Sequence, residues 1–289
     1  MPRFVSARPH WWQWFTILSL DAVSVSLTWQ WWFARGLHVH SRPPEIIVLG
    51  ASVWLAYTAD RWIEAVRLPT IELQTQRHRF AARWRWPIMI VWLIFFAADV
   101  TLAFTGLSAR ELETGFLLLA AVAAYLLSHQ LYHRHHPGRL PKEICVAVLI
   151  TAGALLFPAL TSGGALISLV LVALHFLALC LVNCLLISRW ERDIDVAQGQ
   201  QSLALEPQLR HAFRLVPVLP WLLALESGAL ALRPPSNGFA DLLWSHHFFL
   251  SIAMSAALLG VVDRREKHTG WQPARVLADV VLLTPLLFW

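Results

Sequence analysis

The sequence is poor in charge, in cysteine and in segments that would separate domains. Only 14% of its 289 residues are charged, and no low-complexity segment or short repeat interrupts the chain. The three cysteines, Cys145, Cys180 and Cys184, all lie in apolar stretches, so neither a disulfide framework nor a zinc spacing is present. These absences exclude a disulfide-stapled domain, and they leave no room for a separate soluble domain.

Apolar residues make up 57% of the chain, including 16 tryptophans, and the mean hydropathy is +0.54. Apolar runs near the length of roughly 20 residues that spans a bilayer recur from end to end. The first run follows a basic N-terminus but lacks a small-residue cleavage site, so we interpret it as a transmembrane helix and not as a signal peptide. We therefore predict an all-α polytopic membrane bundle, with residues 1–289 forming one integral domain.

The apolar runs predict nine transmembrane helices. Their approximate bounds are 11–33, 44–66, 87–105, 112–133, 142–160, 164–188, 211–232, 241–262 and 273–289. Tryptophans bracket the first of them, and we interpret Trp11, Trp12, Trp14, Trp29, Trp31 and Trp32 as an aromatic belt at the two membrane surfaces.

The basic residues predict the orientation of these helices. Of the 23 lysines and arginines, 19 lie on the side that holds the N-terminus and the loops after even-numbered spans. By the positive-inside rule that side is cytoplasmic, as expected for a multi-pass protein of a bacterial inner membrane. The net charge of +5 is spread over short loops, which favours membrane lipid over nucleic acid as a partner.

Two acidic groups follow even-numbered spans and are therefore both predicted to face the cytoplasm. Asp60 and Glu64 are four residues apart and share one helix face, while Glu191, Asp193 and Asp195 fall within five residues. Carboxylates gathered at one membrane surface repel each other unless a cation lies among them, and Mg²⁺ prefers such oxygen ligands. The nearby Arg67, Arg77, Arg79, Arg139 and Lys142 are suitable partners for a diphosphate.

The second acidic group carries a family resemblance. Glu191-Arg192-Asp193-Ile194-Asp195, followed by Gly199 and Ser202-Leu203-Ala204, resembles the second aspartate-rich motif of the UbiA superfamily of intramembrane prenyltransferases. Asp60-Arg61-Trp62-Ile63-Glu64 resembles the second half of the family's first motif. Arg139-Leu140-Pro141-Lys142-Glu143 lies where the family has basic residues between its fourth and fifth helices. Nine helices with both motifs on the cytoplasmic side is also the family's arrangement.

The resemblance implies transfer of a prenyl chain from its diphosphate to an aromatic or other lipid acceptor, with Mg²⁺ as the cofactor. It implies catalytic roles for Asp60, Glu64, Glu191 and Asp195, which together with Asp193 would bind the metal. It also implies that the substrate is bound by Arg67, Arg139, Lys142, Asn183 and Tyr57.

The chain departs from the family's pattern at three positions, and Glu64 and Glu191 stand where the family has Asp. Ala56 stands where the first motif has Asn, Tyr57 follows it in place of an acidic residue, and Cys184 stands where the second motif begins with Asp. These departures favour an alternative, in which the chain is a non-enzymatic carrier or lipid-binding protein whose acidic residues only balance its basic loops.

Two further features are candidates for function. Asp21 and Asp279 lie inside predicted spans, where a carboxylate is costly and is a candidate site residue, although either could simply bond a neighbouring helix. The run His129–His136 contains His129 and His133 on one helix face, a spacing that can bind zinc or iron. Interfacial charge is the alternative for this run, since no comparable histidine box occurs elsewhere.

The predicted topology can be tested with reporter fusions. A reporter fused at Phe80 should be cytoplasmic, and one at Asn237 should lie on the opposite side, because the loop after span two carries many arginines and the loop after span seven carries few. Alkaline phosphatase and green fluorescent protein fusions at both positions measure this. The reverse pattern would refute the orientation.

Overall fold

The fold is described by a computed structural model, which covers residues 9–67, 75–131, 141–162, 166–198, 202–232 and 245–288. Within these ranges the chain forms α-helices and short 3-10 turns, and no β-strand. The helices are α1 (Trp14–Ile17), α2 (Leu20–Gly36), α3 (Pro43–Arg67), α4 (Gln76–Arg83), α5 (Arg85–Gly106), α6 (Ala109–Leu131), α7 (Lys142–Ser162), α8 (Leu166–Trp190), α9 (Arg192–Gln198), α10 (Leu219–Ala231), α11 (Ser245–Thr269) and α12 (Trp271–Val280). The 3-10 turns are Trp11–Gln13, Leu203–Leu205, Pro207–Leu209, Ala212–Arg214, Val216–Val218 and Val281–Phe288.

The predicted all-α membrane bundle is confirmed. Eight helical segments of the described chain are long and apolar enough to cross a bilayer, and they match the second to ninth predicted spans. They are Pro43–Glu64, Arg85–Gly106, Ala109–Ser128, Lys142–Ser162, Val170–Trp190, Ala212–Ala231, His246–Thr269 and Trp271–Phe288.

The first predicted span is not one continuous helix. It breaks at Leu18 and Ser19, and Ser19 has a φ of 60°, a left-handed conformation that non-glycine residues seldom adopt. The 17 residues of α2 are fewer than the roughly 20 that span a bilayer. Hydropathy alone missed the break because its cause lies elsewhere in the chain: the Arg61 guanidinium on α3 donates hydrogen bonds to the carbonyls of Thr16 and Ile17.

Aromatic rings from three helices form the centre of the bundle. Trp29 on α2 stacks on Phe176 of α8 with ring centroids 4.3 Å apart, and its edge meets Phe248 of α11. The Trp29 indole N–H donates to the carbonyl of Leu282 at 2.9 Å, which satisfies its polar atom inside the core. The aromatic-belt prediction is therefore wrong for Trp29 and for Trp32, which are 0% and 1% exposed.

The opposite face of the bundle is apolar and exposed, as a lipid-facing surface should be. Helix α5 presents Ile90, Leu93, Ile94, Phe95, Phe96 and Phe104 at its surface. It is held to α3 by the indole of Trp92, which donates to the carbonyl of Leu55 at 2.9 Å, and by the Ser52 hydroxyl, which donates to Asp99 at 2.8 Å. Trp92 and Asp99 of α5 are thus used for helix packing.

An arginine joins the helices at the end of α3 that is remote from Asp60. Arg42 donates to Glu45 at the start of α3 and, at 2.6 Å, to Glu111 at the start of α6. Glu111 also accepts from the Ser108 amide at 2.7 Å. This cluster ties two helix N-termini together, so the acidic residues at this end are structural.

The close contact of α10 with α11 makes a glycine indispensable. A Cβ built on Gly260 would lie 2.5 Å from Cε2 of Trp221, whose ring also lies 4.4 Å from the Arg264 guanidinium. Gly260→Ala should therefore destabilise the protein by about 1–3 kcal/mol, the usual cost of overpacking. Thermal unfolding in detergent, followed by circular dichroism, measures the change.

Gly228→Ala on α10 is the matched control. A Cβ there meets nothing within 4 Å, and alanine is the better helix former by up to about 1 kcal/mol. Equal melting temperatures for the two variants would contradict the packing described here.

Candidate functional site

The two acidic groups predicted from the sequence come together at one end of the bundle, and Lys142 links them. Lys142 is the first residue of α7, and its Nζ lies 3.5 Å from Oε1 of Glu64 on α3. The charges of Asp60 on α3 and of Asp195 on α9 also act on this ammonium group. Residues that are more than 120 positions apart in the chain therefore share one electrostatic environment.

Glu191 lies at the break between α8 and α9 and connects two further helices. Its Oε2 accepts hydrogen bonds from Arg77 of α4 at 3.1 Å and from Arg275 of α12 at 2.8 Å. The residue is only 5% exposed. Burial by itself raises the pKa of Glu191, but the charges of Arg275 and Arg77 outweigh it and lower the pKa to about 2. Glu191 is therefore ionised at every physiological pH.

Asp195 lies one turn beyond Glu191 and has the opposite electrostatic environment. Burial raises its pKa, and the negative charge of Glu191 raises it further, to about 6. No cation of the described residues lies within salt-bridge distance of Asp195 or of Asp60. Asp193, between the two acids on the chain, is exposed on the outer side of α9.

A second polar layer lies deeper in the bundle. The Asn183 amide on α8 donates to Oδ1 of Asp279 on α12 at 3.1 Å, and Asp279 lies beside Asp21 of α2. Oδ2 of Asp21 is 3.9 Å from Nη2 of Arg61. Tyr57 of α3 lies close enough for the charges of both aspartates to act on its hydroxyl group. The two carboxylates that the sequence placed inside spans therefore meet each other.

Arg61 lies near the end of the second predicted span, where a long side chain normally reaches out to the membrane surface. In the structure it is buried and points inward to the broken first helix and to Asp21. The carbonyls of Thr16 and Ile17 at the end of α1 accept its hydrogen bonds, since a buried helix end needs donors.

Glu143 anchors the segment that resembles the family's Ser-Leu-Ala tail. Its Oε1 accepts from the backbone amide of Leu203 at 2.9 Å, while its own helix, α7, begins one residue earlier at Lys142. Glu143 is buried. The contact holds the tail beside the start of α7, close to the acidic groups.

Several predicted residues lie outside the part of the chain that the structure describes. Arg139 and most of the histidine run fall in 132–140, and the side chains of Arg67 and His129 are likewise not covered. Their predicted roles in substrate or metal binding stay predictions.

Sequence reasoning missed the role of Arg275, which it counted only as a cytoplasmic loop charge. One signal could have revealed it. Arg275 and Asp279 are four residues apart on α12, so they share a helix face inside an otherwise apolar stretch. A charge pair on one face of a membrane helix indicates a polar interior.

The described residues contain no group of three or more His, Cys, Asp or Glu side chains arranged to hold a metal ion. Glu64 and Glu191 instead face protein cations. Buried oxygen atoms do remain without a hydrogen-bond partner in this region, namely Oε1 of Glu191, Oε2 of Glu143 and Oδ1 of Asn183. Such groups are uncommon in proteins and indicate water, an ion or a ligand.

The raised pKa of Asp195 predicts that its ionisation opposes folding. An unfolded aspartate has a pKa near 3.9, so the destabilisation grows as the pH rises from about 4 through about 6 and is complete above that. Asp195→Asn should therefore stabilise the protein at pH 8, by at most about 3 kcal/mol, and by about half as much at pH 5. Unfolding in detergent with a chelator, at both pH values, measures this.

The exposed neighbour Asp193→Asn is the control, and it should change the stability little at either pH. A loss of stability at pH 8 in Asp195→Asn would show that the Asp195 charge has a stabilising partner, contrary to this account.

Comparisons with protein-family models, with curated proteins and with solved structures found no match to this chain. The resemblance to the UbiA superfamily accordingly rests on the two motifs, the basic segment 139–143 and the membrane architecture.

Proposed function

We propose that this chain is an intramembrane prenyltransferase, which moves a prenyl chain from its diphosphate to an aromatic or other lipid acceptor. One observation supports this above the others. The acidic groups of α3 and of the α8–α9 junction meet at one end of an apolar bundle, together with Arg77, Lys142 and Arg275.

The cluster suits a substrate with a highly charged head and an apolar tail. Guanidinium groups bind phosphate through two parallel hydrogen bonds, and an ammonium group adds a compact positive charge. The aromatic and aliphatic core of α2, α8 and α11 begins just behind the charged layer. A prenyl diphosphate has this distribution of charge, and so does a phospholipid.

The described residues hold no three-ligand metal group, but the chemistry of their carboxylates would suit a magnesium ion that is shared with the substrate. Mg²⁺ is commonly held by one or two carboxylates and by phosphate oxygens, without a complete cage of protein ligands. Asp60 and Asp195 would hold it, because no described cation pairs with either of them. When bound, the ion would supply positive charge to the departing diphosphate. Metal-binding roles for Glu64, Glu191 and Asp193 stay predictions.

The chain's own residues would do the rest. As the bond between the allylic carbon and the diphosphate oxygen breaks, its electron pair goes to the diphosphate and leaves an allylic cation. Lys142 and the two arginines stabilise the charge on the leaving group, an effect that is strongest where water is excluded. The apolar helices behind the cluster keep water from the cation until the acceptor reacts.

A non-catalytic lipid-binding protein or carrier is the second candidate. The ion pairs of Glu64 with Lys142 and of Glu191 with Arg77 and Arg275 favour it, because these acids already have protein partners. Cys184 in place of the family's leading Asp also favours it. In that case the charged cluster would stabilise the bundle without reacting.

Turnover separates the two candidates. Asp60→Asn should reduce Mg²⁺-dependent prenyl transfer by roughly a hundred- to a thousand-fold, the scale of lost electrostatic stabilisation, while the protein stays folded. The measurement is transfer from radiolabelled geranyl or farnesyl diphosphate to lipid or phenolic acceptors in detergent, beside a size-exclusion profile.

Asp99→Asn is the matched control, since Asp99 is also a buried carboxyl but bonds Ser52 between α3 and α5. It should leave turnover unchanged. Absence of turnover in the wild type with every donor and acceptor pair would favour the non-catalytic candidate. Activity lost in His135→Ala and kept in Asp60→Asn would move the site to the histidine run.

A further inference from the structure

Glu191 lies between two arginines whose arrangement suits an anion other than its own carboxylate. Two guanidinium groups from different helices, α4 and α12, converge on a single carboxylate oxygen, Oε2, at 3.1 and 2.8 Å. Arginine forks normally bind both oxygens of a carboxylate or several oxygens of a phosphate. Here the second oxygen of Glu191 takes no part.

Two unpartnered atoms show that the carboxylate satisfies this pair of arginines incompletely. Nε of Arg275 is buried and has no acceptor, and Oε1 of Glu191 is buried and has no donor. Both belong to residues of the same ion pair. A buried donor without an acceptor is costly, so a ligand whose oxygens can reach Nε of Arg275 as well as the N–H groups that now bind Oε2 is favoured at this position.

We propose that Arg77 and Arg275 form a binding site for a phosphate group, and that Glu191 occupies it as an internal counter-anion until the phosphate displaces it. A phosphate offers at least three acceptor oxygens and more negative charge than a carboxylate. Glu191 stands at the bend between α8 and α9, so its side chain can leave the arginines without unwinding either helix.

The other carboxylates near Arg275 have partners of their own, which decides the group that a phosphate replaces. Asp279 and Asp21 also act electrostatically on Arg275, but Asp279 is held by Asn183 and Asp21 lies beside Arg61. Glu191 is the acid whose hydrogen bonds go to Arg77 and Arg275. It is therefore the group that the phosphate displaces.

This inference deepens the proposed function, on which it rests for the identity of the ligand, because it names the cations that meet the diphosphate. It also gives Glu191 a role opposite to that of a metal ligand. A metal ligand supports diphosphate binding, whereas an internal counter-anion competes with it.

Glu191→Gln tests the inference with inorganic pyrophosphate as the probe, in detergent and with a chelator that removes Mg²⁺. The amide removes the competing charge and keeps the shape, so the affinity for pyrophosphate should rise about tenfold or more. Pyrophosphate should also raise the melting temperature of this variant more than that of the wild type. Isothermal titration calorimetry and thermal unfolding measure the two effects.

Asp263→Asn is the matched control for net charge. Asp263 pairs with Arg189 and accepts from the Trp190 indole at 2.9 Å, so the variant removes one carboxylate from an arginine pair and leaves Arg77 and Arg275 untouched. Its affinity for pyrophosphate should equal that of the wild type. An unchanged or lower affinity in Glu191→Gln, or an equal rise in Asp263→Asn, would overturn the inference.

Arg275→Gln decides the matter if Glu191→Gln does not fold. It should lose Mg²⁺-free binding of pyrophosphate, and binding that persists would overturn the inference. Competition by a short-chain phosphatidylglycerol but not by phosphatidylcholine would identify a lipid headgroup as the phosphate source, and competition by geranyl diphosphate would identify a prenyl donor. Pyrophosphate binding without any prenyl transfer would refute the proposed function and leave this phosphate site in place.

Discussion

The pairing of buried charges at one end of the bundle is the interaction on which the rest of the structure depends. A charged group in a low-dielectric interior is tolerated only when a partner compensates it. The buried Glu191 meets this condition through Arg77 and Arg275, and the partly buried Glu64 pairs with Lys142. Because these partners come from α3, α4, α7 and α12, the requirement for compensation also positions those helices around the α8–α9 junction.

The same requirement explains the irregular first helix. A continuous helix from Trp11 onward would bond the carbonyls of Thr16 and Ile17 within the helix and leave Arg61 fewer acceptors inside the bundle. The break at Ser19 exposes the carbonyls of Thr16 and Ile17, and the start of α2 brings Asp21 within 3.9 Å of the guanidinium. The unfavourable backbone of Ser19 is thus offset by hydrogen bonds to a buried cation, which are among the stronger polar interactions.

Unequal protonation divides the acidic groups into two kinds. Glu191, with a pKa of about 2, carries a permanent negative charge that pairs with Arg77 and Arg275. Asp195, with a pKa of about 6, changes its charge near neutrality. The two are one helical turn apart on the chain. Their difference comes from their partners, since both are buried and, among the described residues, Glu191 forms ion pairs with guanidinium groups whereas Asp195 lies next to the negative charge of Glu191.

The sequence by itself determined the membrane architecture, because the length and hydropathy of an apolar run are local properties that decide whether it can span a bilayer. It also predicted Asp60, Glu64, Glu191 and Asp195 as candidate site residues, because carboxylates are rare next to apolar helices. Tertiary structure alone decided which charges meet. Lys142 pairs with Glu64, Arg275 with Glu191 and Arg61 with Asp21, and Trp29 lies in the core instead of at a membrane surface. Those outcomes depend on the packing of helices that are distant in the chain. A local pattern of residues does not determine which distant group a long side chain will contact.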